Sequence, residues 1–193
     1  MGFIEFIAAF HVLVSAILAW CEKPSSFVMS GIGSLLYVLI FFNLQQPANM
    51  TINICFVLIS IWGYTVWKTG SRDSLKITSF FDSHPHGLRK KRRRDADTAI
   101  MCLFAILGLA LISYIMGGNL PDLSVASLYM ISTIFLIRKY LESWLLFIAT
   151  DLAYLPYLAS HELWFTFGLT LILTTNAIYG FIQWKKLIST QSY

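Results

Sequence analysis

The sequence predicts an all-α integral membrane protein with seven transmembrane helices. Three features carry that expectation. The 193 residues are 57% hydrophobic and only 12% charged, with a mean hydropathy of +0.68, too apolar for a water-soluble domain. Apolar stretches of about 17 to 20 residues recur along almost the whole chain, each long enough at 1.5 Å per residue to cross a ~30 Å hydrocarbon core. The runs are continuous and do not alternate, which selects helices over a barrel.

The spans are read between breakers. The first covers 3–20; its start, MGFIEF, has no basic n-region and carries Glu5, so a retained helix is expected in place of a signal peptide. Trp20 before Cys21 is too large for a lipoprotein cleavage box, and Phe6 spoils a myristoylation pattern, so no lipid anchor is expected. The second span, 27–44, is parted from the third, 52–67, by Asn43, Gln45, Gln46, Pro47 and Asn49. The fourth, 98–116, ends at Gly117, Gly118, Asn119 and Pro121; the fifth, 123–137, meets the sixth, 144–158, at a charged turn. Ser160, His161 and Glu162 precede the seventh, 163–184. Cys21, Cys55 and Cys102 are an odd number scattered in apolar sequence and read as small buried hydrophobes, neither disulfide nor metal site. No cofactor is expected.

Charge orients these spans. Basic residues gather on the cytoplasmic side of membrane proteins, and all 14 here fall in the first, third and fifth connections and the C-terminal tail. The other face has Glu5, Asp122 and Glu162, so the N-terminus is expected outside and the C-terminus in the cytoplasm, in a multi-pass protein of the cell's inner (plasma) membrane. The run RKKRRR at 89–94 sits directly beside two spans, which favours a topogenic, lipid-facing role over a nuclear signal; no nucleic-acid partner is expected. His84 and His86 have no third ligand nearby and read as loop residues.

The chain also repeats itself. IWGYTVWK at 61–68 returns as IYGFIQWK at 178–185, an offset of 117 that also lays Tyr37 on Tyr154, Ser15 on Ser132 and Glu5 on Asp122. The first three spans thus map onto the last three with the fourth left over, a 3+1+3 plan: a first repeat at 1–68, a basic loop at 69–97, a linker helix at 98–117 and a second repeat at 118–193. One extra helix keeps both repeats in the same orientation, and parallel repeats of this kind are a transporter architecture with substrate held between the halves.

RKYLESW at 138–144, Asp151 in the next span and the closing IYGFIQWKK resemble the second half of the PnuC family of vitamin transporters, typified by nicotinamide riboside uptake, and IWGYTVWK resembles the corresponding place in the first half. The resemblance covers essentially the whole chain. It implies facilitated diffusion by alternating access without an ion gradient, one-way through phosphorylation of the substrate by a cytoplasmic kinase, and a homotrimer. Phe147 stands where the family often has a second Trp, and Thr133 about where many nicotinamide riboside transporters carry Gln. Since the family also contains thiamin and riboflavin carriers, the vitamin stays open among these.

Candidate contacts follow from spacing. Trp144, Phe147, Asp151 and Tyr154 recur at i, i+3, i+7 and i+10, one stripe of the sixth helix. Nicotinamide riboside and thiamin are flat cationic heterocycles, which aromatic faces attract by roughly 0.5 to 2 kcal/mol. A carboxyl deep in a span costs about 2.5 to 3.5 kcal/mol on insertion scales and is kept mostly at functional or interior sites; the alternative for Asp151 is a plain hydrogen bond to a neighbouring helix. On the seventh helix Ile172, Asn176, Tyr179 and Gln183 share a face, and Asn176 suits a carboxamide or ribose edge. Tyr37, Asn53 and Trp62 are the first-repeat candidates, with Thr133 and Tyr129 as a further wall. Arg138 and Glu142, four apart, are expected to pair as part of an inner gate or as an interfacial salt bridge. Trp20, Trp67 and Trp184 read as headgroup anchors and His11 as a packed neutral histidine. An integral membrane enzyme would need paired acids near one face, and only Asp95 with Asp97 offers them; a sugar carrier would favour hydroxyls and amides over the 16% aromatic residues.

Overall fold

The computed structural model describes residues 2–70, 77–80, 88–117, 120–160 and 164–191. Among these are seven helices: α1 (Gly2–Trp20), α2 (Ser25–Asn43), α3 (Pro47–Thr69), α4 (Leu88–Met116), α5 (Leu120–Ile137), α6 (Glu142–Ser160) and α7 (Trp164–Gln191). The described residues form no strand, only an isolated bridge between Thr78 and Tyr140. Helices α1 to α4 are each long and apolar enough to cross a membrane, and the apolar part of α5 is shorter. His84, His86 and Glu162, and the side chains of Asp122 and 89–93, lie outside the described residues.

Three boundaries differ from the sequence reading. Pro47, taken as a breaker, opens α3 at its first turn, where its missing N–H has no helical partner to lose. Helix α4 begins ten residues before the apolar span, because Lys and Arg are good helix formers and nothing between Leu88 and Thr98 breaks a helix. Helix α7 likewise runs past Trp184.

Packing runs in a closed circuit. Helix α1 lies on α2 and α2 on α3; α3 touches α5; α5 lies on α6 and α6 on α7; α7 returns to α1. Helix α4 stands outside this circuit, against α3 and α5. Between α3, α4 and α5 is a wholly apolar cavity of about 320 Å³ lined by residues such as Cys55, Leu58, Phe104 and Met130, with no donor or acceptor for a polar solute.

The best-packed region lies where α1, α3, α5 and α7 end. Phe27, Trp67, Ile77, Ile137, Trp144, Ala177 and Trp184 form one buried cluster there. Trp184 is 0% exposed and Trp67 is also buried, so neither is the headgroup anchor its flanking lysine predicts. Cys21 is exposed, and Cys55 and Cys102 are only half-buried, so none is the fully buried residue expected. His11 bonds through Nδ1 to the Ile7 carbonyl of its own helix at 2.8 Å.

A strap crosses this end. Thr78 N–H donates to the Lys139 carbonyl at 3.1 Å, and Leu141 N–H donates to the Thr78 carbonyl at 3.0 Å. Ser79 Oγ and the Phe80 N–H donate to the two carboxylate oxygens of Glu142 at 2.5 and 2.9 Å. Arg94 reaches Thr78 Oγ1 at 2.5 Å and the Tyr140 hydroxyl at 3.1 Å, and that hydroxyl also bonds Asp95. Glu142→Ala removes both anchors of Ser79 and Phe80, and charged-acceptor bonds contribute about 1.5 to 3 kcal/mol each. The variant is therefore expected to be cut faster by trypsin within the basic segment 69–94 than the parent; equal cleavage would mean that Glu142 does not hold the strap.

Candidate functional site

Asp151 organises the middle of the second half. It lies on α6, 2% exposed, where Tyr129 of α5 donates to Oδ1 at 2.5 Å and Thr174 of α7 to Oδ2 at 3.1 Å. The carboxyl thus ties three helices through two hydroxyls. Such bonding satisfies a polar group that hydrocarbon would otherwise strand. Thr174 also faces the Thr170 carbonyl at 2.8 Å, the usual back-bond of a helical threonine.

An aromatic wall stands beside the carboxyl. The Phe147 ring lies 6.3 Å from Tyr129 and 6.3 Å from Trp144. Phe147 and Tyr129 are half-buried, whereas Trp144 is 2% exposed and meets Trp184 edge to face at 5.4 Å. Its indole Nε1 is buried without a partner among the described residues. Gly180 makes room for that ring: an added Cβ would lie 2.8 Å from its carbons. Thr133 stands one turn from Tyr129 and bonds its carbonyl at 2.8 Å.

The other candidates are placed differently. Tyr154 stacks on Tyr157 at 5.4 Å, beyond Asp151 on the same helix. Tyr179 is 46% exposed and meets Trp20 edge to face at 4.9 Å, at the seam of α1 and α7. The packed stripe of α7 is Thr170, Thr174, Ala177, Gly180 and Trp184, rotated away from the stripe of Ile172, Tyr179 and Gln183; Asn176 is half-buried beside it. In the first half, Tyr37 stacks on Phe41 at 6.1 Å and Asn53 donates to the Asn49 carbonyl at 2.9 Å, both within their own helices. Trp62 lies under the Arg138 guanidinium, 5.6 Å from its centre, at the seam of α3 and α5.

Arg138 and Glu142 do not pair. Arg138 reaches Met101 Sδ at 3.3 Å and covers Trp62, while Glu142 holds the strap. Lys139, between them, has φ +55 and ends α5, so the helical spacing that would join the two side chains is interrupted. Thr174 was missed by sequence reasoning. Its only signal is the i+4 spacing from Thr170 toward Gly180 and Trp184, which any packed helix face can show.

None of the curated proteins matches the sequence. Among solved structures, the chain is similar to one titled crystal structure of the vitamin B3 transporter PnuC, with 17% identity and a TM-score of 0.71, over 98% of this chain and 83% of that one. At that identity the likeness establishes the seven-helix fold. The family described as nicotinamide mononucleotide transporter matches residues 2–186, nearly the whole length, and the chain belongs to this family of membrane transporters.

Proposed function

We propose that the protein carries a flat, hydroxyl-bearing nitrogen heterocycle across the membrane, nicotinamide riboside before thiamin or riboflavin. The observation that carries this reading is the half-buried aromatic pair Tyr129 and Phe147 set against the Asp151 carboxyl, whose described partners are both hydroxyls. Aromatic faces with an acid behind them and no neutralising base suit a cation. The phosphate of a mononucleotide would bring negative charge to the same place, so the riboside is the better fit. Asn176, Tyr179, Trp62, Tyr37, Asn53 and Tyr154 are the contacts through which the rest of such a ligand would be held once the helices move.

Movement is by alternating access between two parallel three-helix repeats, α1–α3 and α5–α7, with α4 as the linker. The circuit of contacts supports this plan, since the seam of α1 with α7 corresponds to that of α5 with α3 when the halves are exchanged. The basic end is cytoplasmic and the N-terminus is outside, in the cell's inner membrane. Facilitated diffusion, trapping by a cytoplasmic kinase and a homotrimeric assembly come from the family resemblance.

Calorimetric titration of the purified protein with nicotinamide riboside, its mononucleotide, thiamin, riboflavin and a monosaccharide tests the reading. Saturable binding of the riboside, tighter than of the mononucleotide, is expected; binding of the monosaccharide alone would overturn it.

A further inference from the structure

We propose that Trp67 and Trp184 form the inner gate of this carrier, a reciprocal clasp in which each half of the chain is held shut by the other. The assignment rests on the alternating-access reading above, and the geometry that carries it is independent of any ligand.

Helices α1 and α5 finish in the same way. In α1 the Glu22 N–H bonds the Ala19 carbonyl and the Lys23 N–H bonds Leu18; in α5 the Lys139 N–H bonds Leu136 and the Tyr140 N–H bonds Phe135. This paired pattern is a helix stop whose left-handed residue is usually glycine. Here that residue is Glu22 in one half and Lys139 in the other, both with φ +55. The stop leaves the carbonyls of the last helical residues, Trp20 and Ile137, without intrahelical partners.

The repeated tryptophans take up those two carbonyls, each from the opposite half. Trp67 Nε1 donates to the Ile137 carbonyl at 3.0 Å, and Trp184 Nε1 donates to the Trp20 carbonyl at 3.2 Å. Trp67 corresponds to Trp184 and Trp20 to Ile137 in the offset between the repeated motifs, so these are one bond made twice with the halves exchanged. The indole rings lie 6.4 Å apart. Each is backed by an aromatic ring of its own half, Phe27 at 4.9 Å and Trp144 at 5.4 Å, both edge to face, and each backing ring sits over a repeated glycine, Gly63 or Gly180.

Charge closes the same seam. Lys139 Nζ pairs with Glu22 at 2.5 Å, a separation of 117 residues in the chain, and lies 4.8 Å from the centre of the Trp67 ring. Two residues held in a backbone conformation that glycine would adopt more readily are here each other's partner, and strain retained in this way points to function. Ile77 from the strap packs into the same cluster. Opening this end requires both indole bonds and the ion pair to break together, since all three join the halves.

The test places spin labels at Lys68→Cys and Lys185→Cys, exposed positions next to the two tryptophans, in a protein whose own cysteines are replaced by serine. Double electron–electron resonance should give one dominant short distance in the parent. Trp67→Phe and Trp184→Phe keep the ring and remove only the N–H, and each should shift population to longer distances, the double variant most. An unchanged distribution in the folded double variant overturns the assignment. Should the double variant not fold, Glu22→Cys with Lys139→Cys is bridged by a short bis-methanethiosulfonate. Counterflow of nicotinamide riboside in proteoliposomes should then stop and return on reduction, with binding in detergent retained; continued transport in the bridged protein overturns the gate. Absence of riboside binding to the parent would sink the substrate reading alone, because the distance measurement uses no ligand.

Discussion

Trp144→Ala is expected to lower the stability of the purified protein by about 3 to 5 kcal/mol, the range for emptying a buried Trp or Phe site, whereas Trp144→Phe should cost far less. The ring is 2% exposed, and it fills a socket floored by Gly180 and walled by Trp184. Deleting it leaves a cavity in the cluster that ties α6 to α7 at the basic end. The first half indicates what else the socket accepts. There Phe27 occupies the corresponding position, lies over Gly63 so closely that an added Cβ would fall 2.5 Å from the ring, and meets Trp67 edge to face at 4.9 Å. A phenyl ring is thus already the solution to the same packing problem. Gly180→Ala approaches the socket from below and should cost about 1 to 3 kcal/mol as an overpacked site; combining it with Trp144→Phe should recover part of that loss. Thermal unfolding in detergent followed by circular dichroism reads all four proteins, and a Trp144→Ala variant as stable as the parent would show that the socket is not a packing centre.

Much of the fold was legible because it rests on length, apolarity and repetition. A continuous apolar run has few alternatives in a bilayer, and an offset that aligns Gly63 with Gly180 and Trp67 with Trp184 is visible without coordinates. What the tryptophans do was not legible. An indole beside a lysine at a span end looks the same in sequence whether it faces lipid headgroups or a partner's carbonyl; only the helix stops at Glu22 and Lys139 create the acceptors. The same stop misled the reading of Arg138 and Glu142, because i, i+4 proximity presumes an unbroken helix. Helix α4 shows a related confusion. Charge ends a membrane span but does not end a helix.

The candidate site was half legible for a different reason. Asp151 declares itself, since a carboxyl inside an apolar run has few places to go. Its partners do not. Tyr129 belongs to another helix, and Thr174 is one of several threonines on α7 that bond their own backbone, so nothing local marks it. Spacing on one helix gives a stripe; which stripe of the neighbour meets it depends on helix rotation. The α7 stripe expected from Asn176 and Tyr179 accordingly differs from the packed one through Thr174 and Trp184.

Asp151→Asn and Tyr129→Phe should each weaken nicotinamide riboside binding by about tenfold or more, ~1.4 kcal/mol per decade. The asparagine replacement is chosen because it preserves shape and hydrogen bonding. Its carbonyl can accept from Tyr129 and its amide can donate to the Thr174 hydroxyl, which keeps its own bond to Thr170, so the fold should hold while the acid is lost. Asp151→Ala is the harsher change, leaving the Tyr129 hydroxyl unpaired at a further cost of about 1 to 3 kcal/mol in stability. Tyr129→Phe removes the hydroxyl that the carboxyl holds but keeps the ring beside Phe147, so a loss of affinity there assigns the hydroxyl, not the aromatic face, to ligand contact. Thr174→Val is the internal control. It removes only the longer bond to Asp151, at 3.1 Å, and should shift affinity least. Isothermal titration on folded protein separates these effects, and unchanged affinity in both Asp151→Asn and Tyr129→Phe would remove this cluster from the binding site, leaving Asp151 as an interhelical tie between α5, α6 and α7.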